Sequence, residues 1–311
     1  MNGNVEFKAR FLEDVEKNFN IRVKEQYEVL FGDKQIGFTE GLLNKDVYDF
    51  TRDEILLAYK NLEASKMSSL TSSHSLLNKY ILYSFDKKIS KLPAPSTINI
   101  TREDLKPLIS KRKLYNRYMT TKEMNKVIIN LNNDQDRAML MLIFFKSILG
   151  KNYEDLIGLK KEDFSYAEGY LNVNGVRYNL SDIEKEVLFD AISESNYINY
   201  TLHRHRETPL IISDYIFRNV AVRKTKTFDY DPMTPIAIRG RLKKIVHAVD
   251  KPEWSGKTIF ASGIVNRMLD EKEDWSYTEV LSYINENNYN LNATDLQDVI
   301  SVIKEKRKNE E

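Results

Sequence analysis

The sequence predicts a mainly α-helical protein of the α+β type, with one small β element. In several segments apolar residues recur every three or four positions, which is the spacing of helices that bury one face. Residues 138–149 are apolar on nearly every side, so we expect a central helix that is buried all round. The one convincing β signal covers residues 170–180, where Asn174-Gly175 predicts a hairpin with a two-residue turn.

Length and composition limit the function classes. A chain of 311 residues can form two domains with sizeable cores. It has no cysteine and only four histidines (His74, His203, His205 and His247), which excludes disulfides and cysteine nucleophiles and argues against a zinc site. We expect no metal and no cofactor. No apolar run approaches the roughly 20 residues that cross a bilayer, and no leader opens the chain, so we expect a soluble, intracellular protein.

The charge is unevenly distributed along the chain. Residues 87–126 carry 11 Lys/Arg against 3 Asp/Glu, and residues 200–250 carry 10 against 5. Residues 1–60 carry 9 against 12, and residues 268–311 carry 5 against 11. Two basic surfaces beside one groove for a polyanion would produce this pattern, with the acidic ends facing away or meeting other subunits. Solvated helix faces that cluster by sign are an equally good explanation of the charges alone.

The first part of the chain contains a series of helix signals. Residues 5–31 predict one long amphipathic helix, which we assign to an N-terminal extension of residues 1–35. Thr51 and Glu54 form a capping box, and a serine-rich loop at residues 66–75 leads into an aromatic-rich helix. Pro93 and Pro95 then form an extended linker. We therefore predict a first domain of residues 36–100 and a second of residues 101–311.

Two segments of the second domain resemble the catalytic boxes of the tyrosine recombinases, the phage integrase family. An apolar helix, Gly150, a short acidic helix and Gly158-Leu159 follow one another as in the first box of that family. There the glycine is followed two residues later by a catalytic arginine, but this chain has Asn152, beside Lys151. The scaffold of the box is present, whereas its reactive side chain is missing.

The second box is matched through Phe260-Ala261-Ser262. This match places Trp254 and Thr258 where the family has histidines, and Lys257 where it has its second arginine. The nucleophilic tyrosine of the family should fall near residues 294–297, which contain none; Tyr283 and Tyr289 are the nearest. A tyrosine recombinase attacks a phosphodiester with a phenol while cationic side chains stabilise the phosphorane. The resemblance therefore implies the fold without efficient cleavage.

The resemblance also implies the architecture and the DNA contacts. The fold would be tyrosine-recombinase-like, with a helical SAM-like core-binding domain followed by a helical catalytic-like domain that contains a small hairpin or sheet. Contacts to DNA would come from the serine-rich loop, the start of the second domain, the two boxes, the hairpin and the outward face of a basic helix at residues 236–249. The residues expected to bind DNA are Ser69, Thr71, Ser72, Lys111, Arg112, Lys113, Arg117, Lys151, Arg177, Arg239, Arg241, Lys243, Lys244 and Lys257.

In function, the chain most resembles the repressors that keep SPbeta-like temperate phages lysogenic. That resemblance implies a sequence-specific transcriptional repressor, not an enzyme, which binds double-stranded phage operators in the bacterial cytoplasm beside the nucleoid. It would have no membrane partner and could form a homo-oligomer on DNA. One alternative is an active recombinase with a rearranged site that uses Tyr289 or Tyr283 with Lys257 and Arg239. Another is an architectural or protein-interaction module whose basic segments are coincidental.

Overall fold

The protein divides into two compact units, each with its own core. The computed structural model describes residues 3–199, 207–221 and 232–310. The first unit ends at Leu114 and the second begins at Tyr115, so the boundary lies later than the predicted residue 100. Within the described residues, no helix combines the length and the apolar character needed to cross a membrane.

The first unit is helical. Its helices are α1 (Val5–Asn18), α2 (Ile21–Leu30), α3 (Ile36–Leu43), α4 (Arg52–Asn61), α5 (Met67–Asp86) and α6 (Arg102–Leu105), and α7 (Lys111–Arg117) crosses the boundary. Aromatic side chains from α1, α2 and α5 fill the core, with Phe11 edge-on to both Tyr27 and Tyr80. Because α1 packs in this core, the structure includes the predicted extension in the first unit.

The segment predicted as one helix over residues 5–31 is two helices. The chain leaves α1 at Phe19, and the Asn20 side chain accepts a hydrogen bond from the backbone N–H of Val23 at 3.0 Å, which caps α2. The apolar spacing continues across the break, but an asparagine that caps a new helix competes with continuation of the old one. The prediction of a single helix was therefore wrong.

The first unit buries a small charged cluster. Lys8 on α1 is fully buried, forms a close ion pair with Glu40 on α3, and has its Nζ atom 3.6 Å from Asp46 Oδ2. The hydroxyl of Tyr80 donates to Asp46 at 3.2 Å. One ammonium therefore faces two carboxyl groups, and burial is the main cause that raises the pKa of Glu40 to about 7 and also raises the pKa of Asp46.

The second unit contains the remaining helices and two small sheets. Its helices are α8 (Thr121–Ile129), α9 (Asp134–Phe145), α10 (Glu154–Ile157), α11 (Asp182–Ser193), α12 (Pro235–Ala248), α13 (Gly256–Glu271), α14 (Tyr277–Glu286) and α15 (Ala293–Glu310). Its strands are β1 (Phe164–Ser165), β2 (Tyr170–Val173), β3 (Val176–Asn179), β4 (Asn196–Ile198) and β5 (Glu207–Pro209). The predicted mainly helical fold with a small β element is confirmed.

Helix α9 is the centre of the second core, as the sequence predicts. Every residue of α9 from Ala138 to Phe144 is buried, and α11 and α13 pack against it. Helices α9 and α13 approach each other closely at Gly263, where a Cβ atom would lie 1.9 Å from the carbonyl oxygen of Phe144. Only a glycine permits this approach.

The predicted hairpin is also confirmed. Strands β2 and β3 pair antiparallel, and both turn residues, Asn174 and Gly175, have positive φ angles of 52° and 83°. Two positive φ values are typical of the type I′ turn that an Asn-Gly pair favours. The sequence analysis did not predict β1, which extends this sheet, or the separate pair of β4 and β5.

Candidate nucleic-acid interface

The first box lies on a turn between α9 and α10. Gly150 has a φ of +69° but lies five residues beyond the end of α9 at Phe145, so the helix ends earlier than the one predicted over residues 138–149; Asn152 and Tyr153 also have positive φ angles, of 55° and 69°. The side chains of Lys151 and Asn152 are exposed. The position of the family's first arginine therefore presents a neutral amide to solvent, next to an ammonium group.

The second box opens α13 and touches the first. Tyr153 lies against Gly256, where a Cβ atom would be 2.6 Å from the tyrosine ring. Trp254 is 4% exposed, and its indole N–H donates to the carbonyl oxygen of Asn116 at 3.1 Å. The hydroxyl of Thr258 is used within the capping turn, where it donates to the Ser255 carbonyl oxygen at 3.0 Å. Both replacements of the family's histidines thus serve structural bonds.

Lys257 differs from Trp254 and Thr258 in its exposure to solvent. Its side chain is exposed at the first turn of α13. Because the two boxes touch, Lys257 and Lys151 belong to the same part of the second unit, although no described hydrogen bond or ion pair joins them. Two exposed ammonium groups can bind phosphate oxygens, but neither can act as a nucleophile on DNA while protonated.

Tyr289 lies in an aromatic cluster that the sequence analysis did not foresee. Its ring centroid is 5.7 Å from that of Phe260 and 6.2 Å from that of Tyr283. The guanidinium of Arg267 donates to the hydroxyl of Tyr289 at 3.4 Å. Among the described residues, no hydrogen bond or ion pair joins Tyr289 to Lys257, so the alternative active site is not assembled by direct polar contacts.

Arg267 itself is a residue that sequence reasoning missed. It donates to the carbonyl oxygens of Phe144 and Phe145 at 3.1 and 3.0 Å, and also to the Ser147 hydroxyl. It thereby satisfies the last carbonyls of α9, just before the turn of the first box. The available signal was a lone arginine within an otherwise largely apolar stretch of helix.

Helix α12 presents the clearest cationic face in the second unit. Thr234 caps this helix by accepting a hydrogen bond from the Ala237 N–H at 3.1 Å, and the helix sequence contains no acidic residue. Arg239, Lys243 and Lys244 are exposed, which agrees with their predicted outward positions. Only Lys244 has a described partner, the side-chain oxygen of Asn199 at 3.4 Å.

Arg241 is not on that face, and its prediction as an outward DNA contact was wrong. It is 6% exposed, and its guanidinium donates to the side-chain oxygen of Gln135 at 2.9 Å. Arg241 follows Ile238 by three positions and precedes Ile245 by four, so helical spacing places it on the buried face. The apolar spacing of the helix therefore predicts the position of this side chain better than its charge does.

The hairpin presents one cation and is attached to the first box. Arg177 is exposed and stacks over the ring of Tyr170, with 3.9 Å between the guanidinium carbon and the ring centroid. At the tip, the Asn174 side-chain amide donates to Asp155 Oδ1 at 2.8 Å. Burial raises the pKa of Asp155 despite this hydrogen bond. The side chain at the tip of the hairpin is therefore the Asn174 amide, which bonds to Asp155, and Arg177 lies farther along β3.

In the first unit, the predicted hydroxyl contacts lie inside a helix. Helix α5 begins at Met67, so Ser69, Thr71 and Ser72 are exposed residues of its first turns and do not form a loop before it. The Thr71 hydroxyl donates to the carbonyl oxygen of Met67 at 3.1 Å. Such a bond occupies the Thr71 hydroxyl within the helix, whereas Ser69 and Ser72 have exposed side chains.

The basic segment near the boundary forms α7. Lys111 and Arg112 are exposed, Lys113 forms an ion pair with Glu63 at 3.0 Å, and Arg117 is half-buried. The predicted cations are therefore divided between the units. The first unit exposes Lys111, Arg112 and Lys113, and the second unit exposes Lys151, Arg177, Arg239, Lys243, Lys244 and Lys257.

Comparison with known proteins gives relatives of three kinds. A family model described as "MrpR, C-terminal catalytic domain" matches residues 118–306, and one described as "MrpR, N-terminal core-binding domain" matches residues 3–86. The chain is 26% identical over 232 residues to the SPbeta prophage-derived uncharacterized protein YopR of Bacillus subtilis (strain 168), covering 72% of this chain and 67% of that protein.

Similar solved structures are integrases and recombinases. The crystal structure of XerA recombinase has 12% identity and a TM-score of 0.41, with 98% of each chain covered. A lambda integrase dimer bound to a COC′ core site has 13% identity and a TM-score of 0.43, with 94% of each chain covered. The model of the C-terminal domain alone matches more than half of the chain, and the chain therefore belongs to the MrpR family, in which a core-binding domain is followed by a domain described as catalytic.

Proposed function

We propose that this protein is a sequence-specific DNA-binding repressor of a temperate phage, which maintains lysogeny by occupying phage operators and does not cleave them. It acts in the cytoplasm of the bacterial host, on the nucleoid. The observation that carries the proposal is the contrast within the two boxes. Lys151 and Lys257 are exposed cations, whereas Asn152, Trp254 and Thr258 occupy the positions where a recombinase has arginine and histidine.

The chemistry of those three side chains supports binding without cleavage. An asparagine amide carries no charge with which to stabilise a phosphorane, an indole N–H cannot shuttle protons, and a threonine hydroxyl does not titrate near neutral pH. Loss of one charge-stabilising donor typically costs about 100-fold to 1,000-fold in rate. The family model that matches residues 118–306 is described as a catalytic domain, so strand cleavage has to be tested directly.

The exposed cations support the choice of DNA as the partner. Helix α12 has a cationic face without any carboxylate, and the segment around α7 adds further cations to the first unit. Each Lys or Arg that neutralises a phosphate releases a counterion, and log affinity then falls by about 0.9 for each unit of log salt. Six phosphate contacts would thus reduce the affinity by roughly three orders of magnitude between 50 and 200 mM salt.

The first experiment measures DNA binding and its salt dependence. Duplexes are selected by the full-length protein from fragments of the source genome, and affinity is measured by fluorescence anisotropy between 50 and 200 mM salt. We expect selected duplexes to bind more tightly than unrelated ones, with a steep salt slope for both. Equal affinity for all sequences would contradict an operator-binding repressor. An affinity that does not change with salt would contradict binding through phosphate contacts.

The second experiment tests the active-recombinase alternative. A selected duplex with a nick in the binding site is incubated with the wild type and with Tyr289→Phe and Tyr283→Phe, and the products are separated on a denaturing gel. A recombinase would form a covalent adduct that one of these substitutions abolishes. We expect tight binding and no adduct with any of the three proteins. A tyrosine-dependent adduct would replace the repressor proposal with that of an enzyme.

A further inference from the structure

Helix α12 is held from beneath by a buried polar network. The Arg241 guanidinium donates through Nη1 to Gln135 Oε1 at 2.9 Å and through Nη2 to the carbonyl oxygen of Arg218 at 3.3 Å. Its Nε atom is 3.5 Å from Asp136 Oδ1, and its guanidinium carbon is 4.3 Å from the ring centroid of Tyr197. One side chain of α12 is thus held in several directions at once.

The partners of Arg241 are themselves fixed. Gln135 and Asp136 are fully buried in the first turn of α9, and the carboxylate of Glu194 caps that turn by accepting from the backbone N–H of Gln135 at 3.0 Å. Gln135 Oε1 also accepts from the backbone N–H of Arg218 at 3.1 Å. The guanidinium of Arg218 donates in turn to carbonyl oxygens at the end of α11. The network therefore joins α9, α11 and α12.

Apolar packing alone would fix α12 less well. Ile238, Leu242 and Ile245 bury the inner face of the helix, but the hydrophobic effect is non-directional and tolerates small rotations and slides. Hydrogen bonds to a planar guanidinium are directional, and its fork geometry cannot be reproduced by an ammonium. The directional bonds of Arg241 thus restrict the rotation of α12 about its axis in addition to the apolar contacts.

We propose that Arg241 is a positioning residue for DNA recognition, which sets the rotation of α12 so that Arg239 and Lys243 face the DNA together. The inference rests on the proposed DNA-binding function. Arg241 touches no DNA in this arrangement. It acts through Arg239 and Lys243, which precede and follow it by two positions and therefore lie on the opposite side of the helix, whereas Lys244 follows it by three positions and lies nearer the buried face.

The test is a double-mutant cycle between the buried and the exposed face. Arg241→Lys keeps the charge and removes the fork, and Lys243→Ala removes one exposed cation. We expect Arg241→Lys to reduce affinity for a selected duplex on the order of tenfold. We also expect Lys243→Ala to weaken binding several-fold in the wild type but to have little effect in the Arg241→Lys background, because its phosphate is then already out of reach.

A matched control separates positioning from simple destabilisation. Ile303 on α15 is fully buried and lies outside the network, so Ile303→Ala destabilises the same unit without touching α12. In that background Lys243→Ala should keep its full effect. If Lys243→Ala costs the same in the Arg241→Lys and the Ile303→Ala backgrounds, Arg241 is merely structural and the proposal fails.

Hydrogen exchange provides a readout that does not depend on DNA. In Arg241→Lys the amides of α12 should exchange faster than in the wild type, while the amides of α15 remain unchanged. Exchange in α12 that equals the wild type would overturn the proposed role of Arg241 in holding the helix. A wild type that binds no DNA would instead overturn the proposed function, with the exchange result still deciding whether Arg241 holds α12.

Discussion

Replacing Gly263 by alanine should destabilise the second unit. The added Cβ would lie 1.9 Å from the carbonyl oxygen of Phe144 and 2.7 Å from its carbonyl carbon. Since carbon and oxygen atoms that are not bonded rarely approach within about 3.3 Å, α9 and α13 would have to separate locally by more than an ångström. Both contacted atoms belong to the backbone of a buried helix, so no flexible side chain can move aside.

The magnitude follows from the contacts that this separation affects. Overpacking of a core typically costs about 1–3 kcal/mol. The separation also weakens the bonds that Arg267 donates to Phe144 and Phe145, each worth about 1.5–3 kcal/mol when the donor is charged. Alanine recovers up to about 1 kcal/mol of helix propensity. The net loss should be about 3 kcal/mol, which lowers Tm by on the order of 10 °C for a unit of this size.

Gly240→Ala is the matched control, because it makes the same chemical change within α12. No atom among the described residues lies within 4 Å of a Cβ built at Gly240, which is exposed. This substitution should raise stability by about 0.5–1 kcal/mol. Thermal unfolding followed by circular dichroism measures both variants. If Gly263→Ala unfolds at or above the wild-type temperature, the close approach of α9 and α13 is wrong.

Three further predictions concern other parts of the chain. Because the pKa of Glu40 is raised to about 7 in the folded protein, the stability that this group contributes is fully present below about pH 4.5 and should be lost as the pH rises through 7. Urea unfolding should therefore show a smaller change in the free energy of unfolding between pH 5 and pH 8 for Glu40→Gln than for the wild type. An equal change in both proteins would contradict the raised pKa of Glu40. Arg239→Ala should reduce the free energy of binding to a selected duplex by about 1–3 kcal/mol and to unrelated DNA by less, whereas Lys243→Ala should weaken binding to both alike. Anisotropy titrations that show the reverse would mean that Arg239 is not the residue that contacts bases. Arg267→Ala should destabilise the protein by about 2–3 kcal/mol, because the carbonyl oxygens at the end of α9 lose their donor. Tyr289→Phe should cost under about 1 kcal/mol, because the hydrogen bond from Arg267 to the Tyr289 hydroxyl is long. Chemical unfolding that ranks the two variants the other way would refute the role of Arg267 at the end of α9.

Local signals in the sequence predicted local structure well. The capping box at Thr51 and the Asn174-Gly175 turn are both observed. Each depends on bonds within a few residues, so that the sequence window contains both partners. The pair of β4 and β5 was missed because strands of three residues are too short for an alternating pattern to emerge.

Contacts between distant segments account for most of what could not be predicted. Arg241 is buried by Gln135, which lies 106 residues away, and Arg267 is held by carbonyls more than 120 residues away. No local pattern shows that a charged side chain will find such partners. The exposure of Arg239 and Lys243 was easier to predict, because a charged residue without a buried partner faces water by default.

The buried cluster of Lys8, Glu40 and Asp46 limits how the first unit can be divided. A fragment of residues 36–100, the domain suggested by the sequence, would keep both carboxyl groups and lose the ammonium that faces them. Breaking a buried ion pair by removing one partner typically costs about 3–5 kcal/mol, a large part of the stability of a small domain. The first unit is therefore transferable between proteins only together with α1, because that helix carries the ammonium group of Lys8.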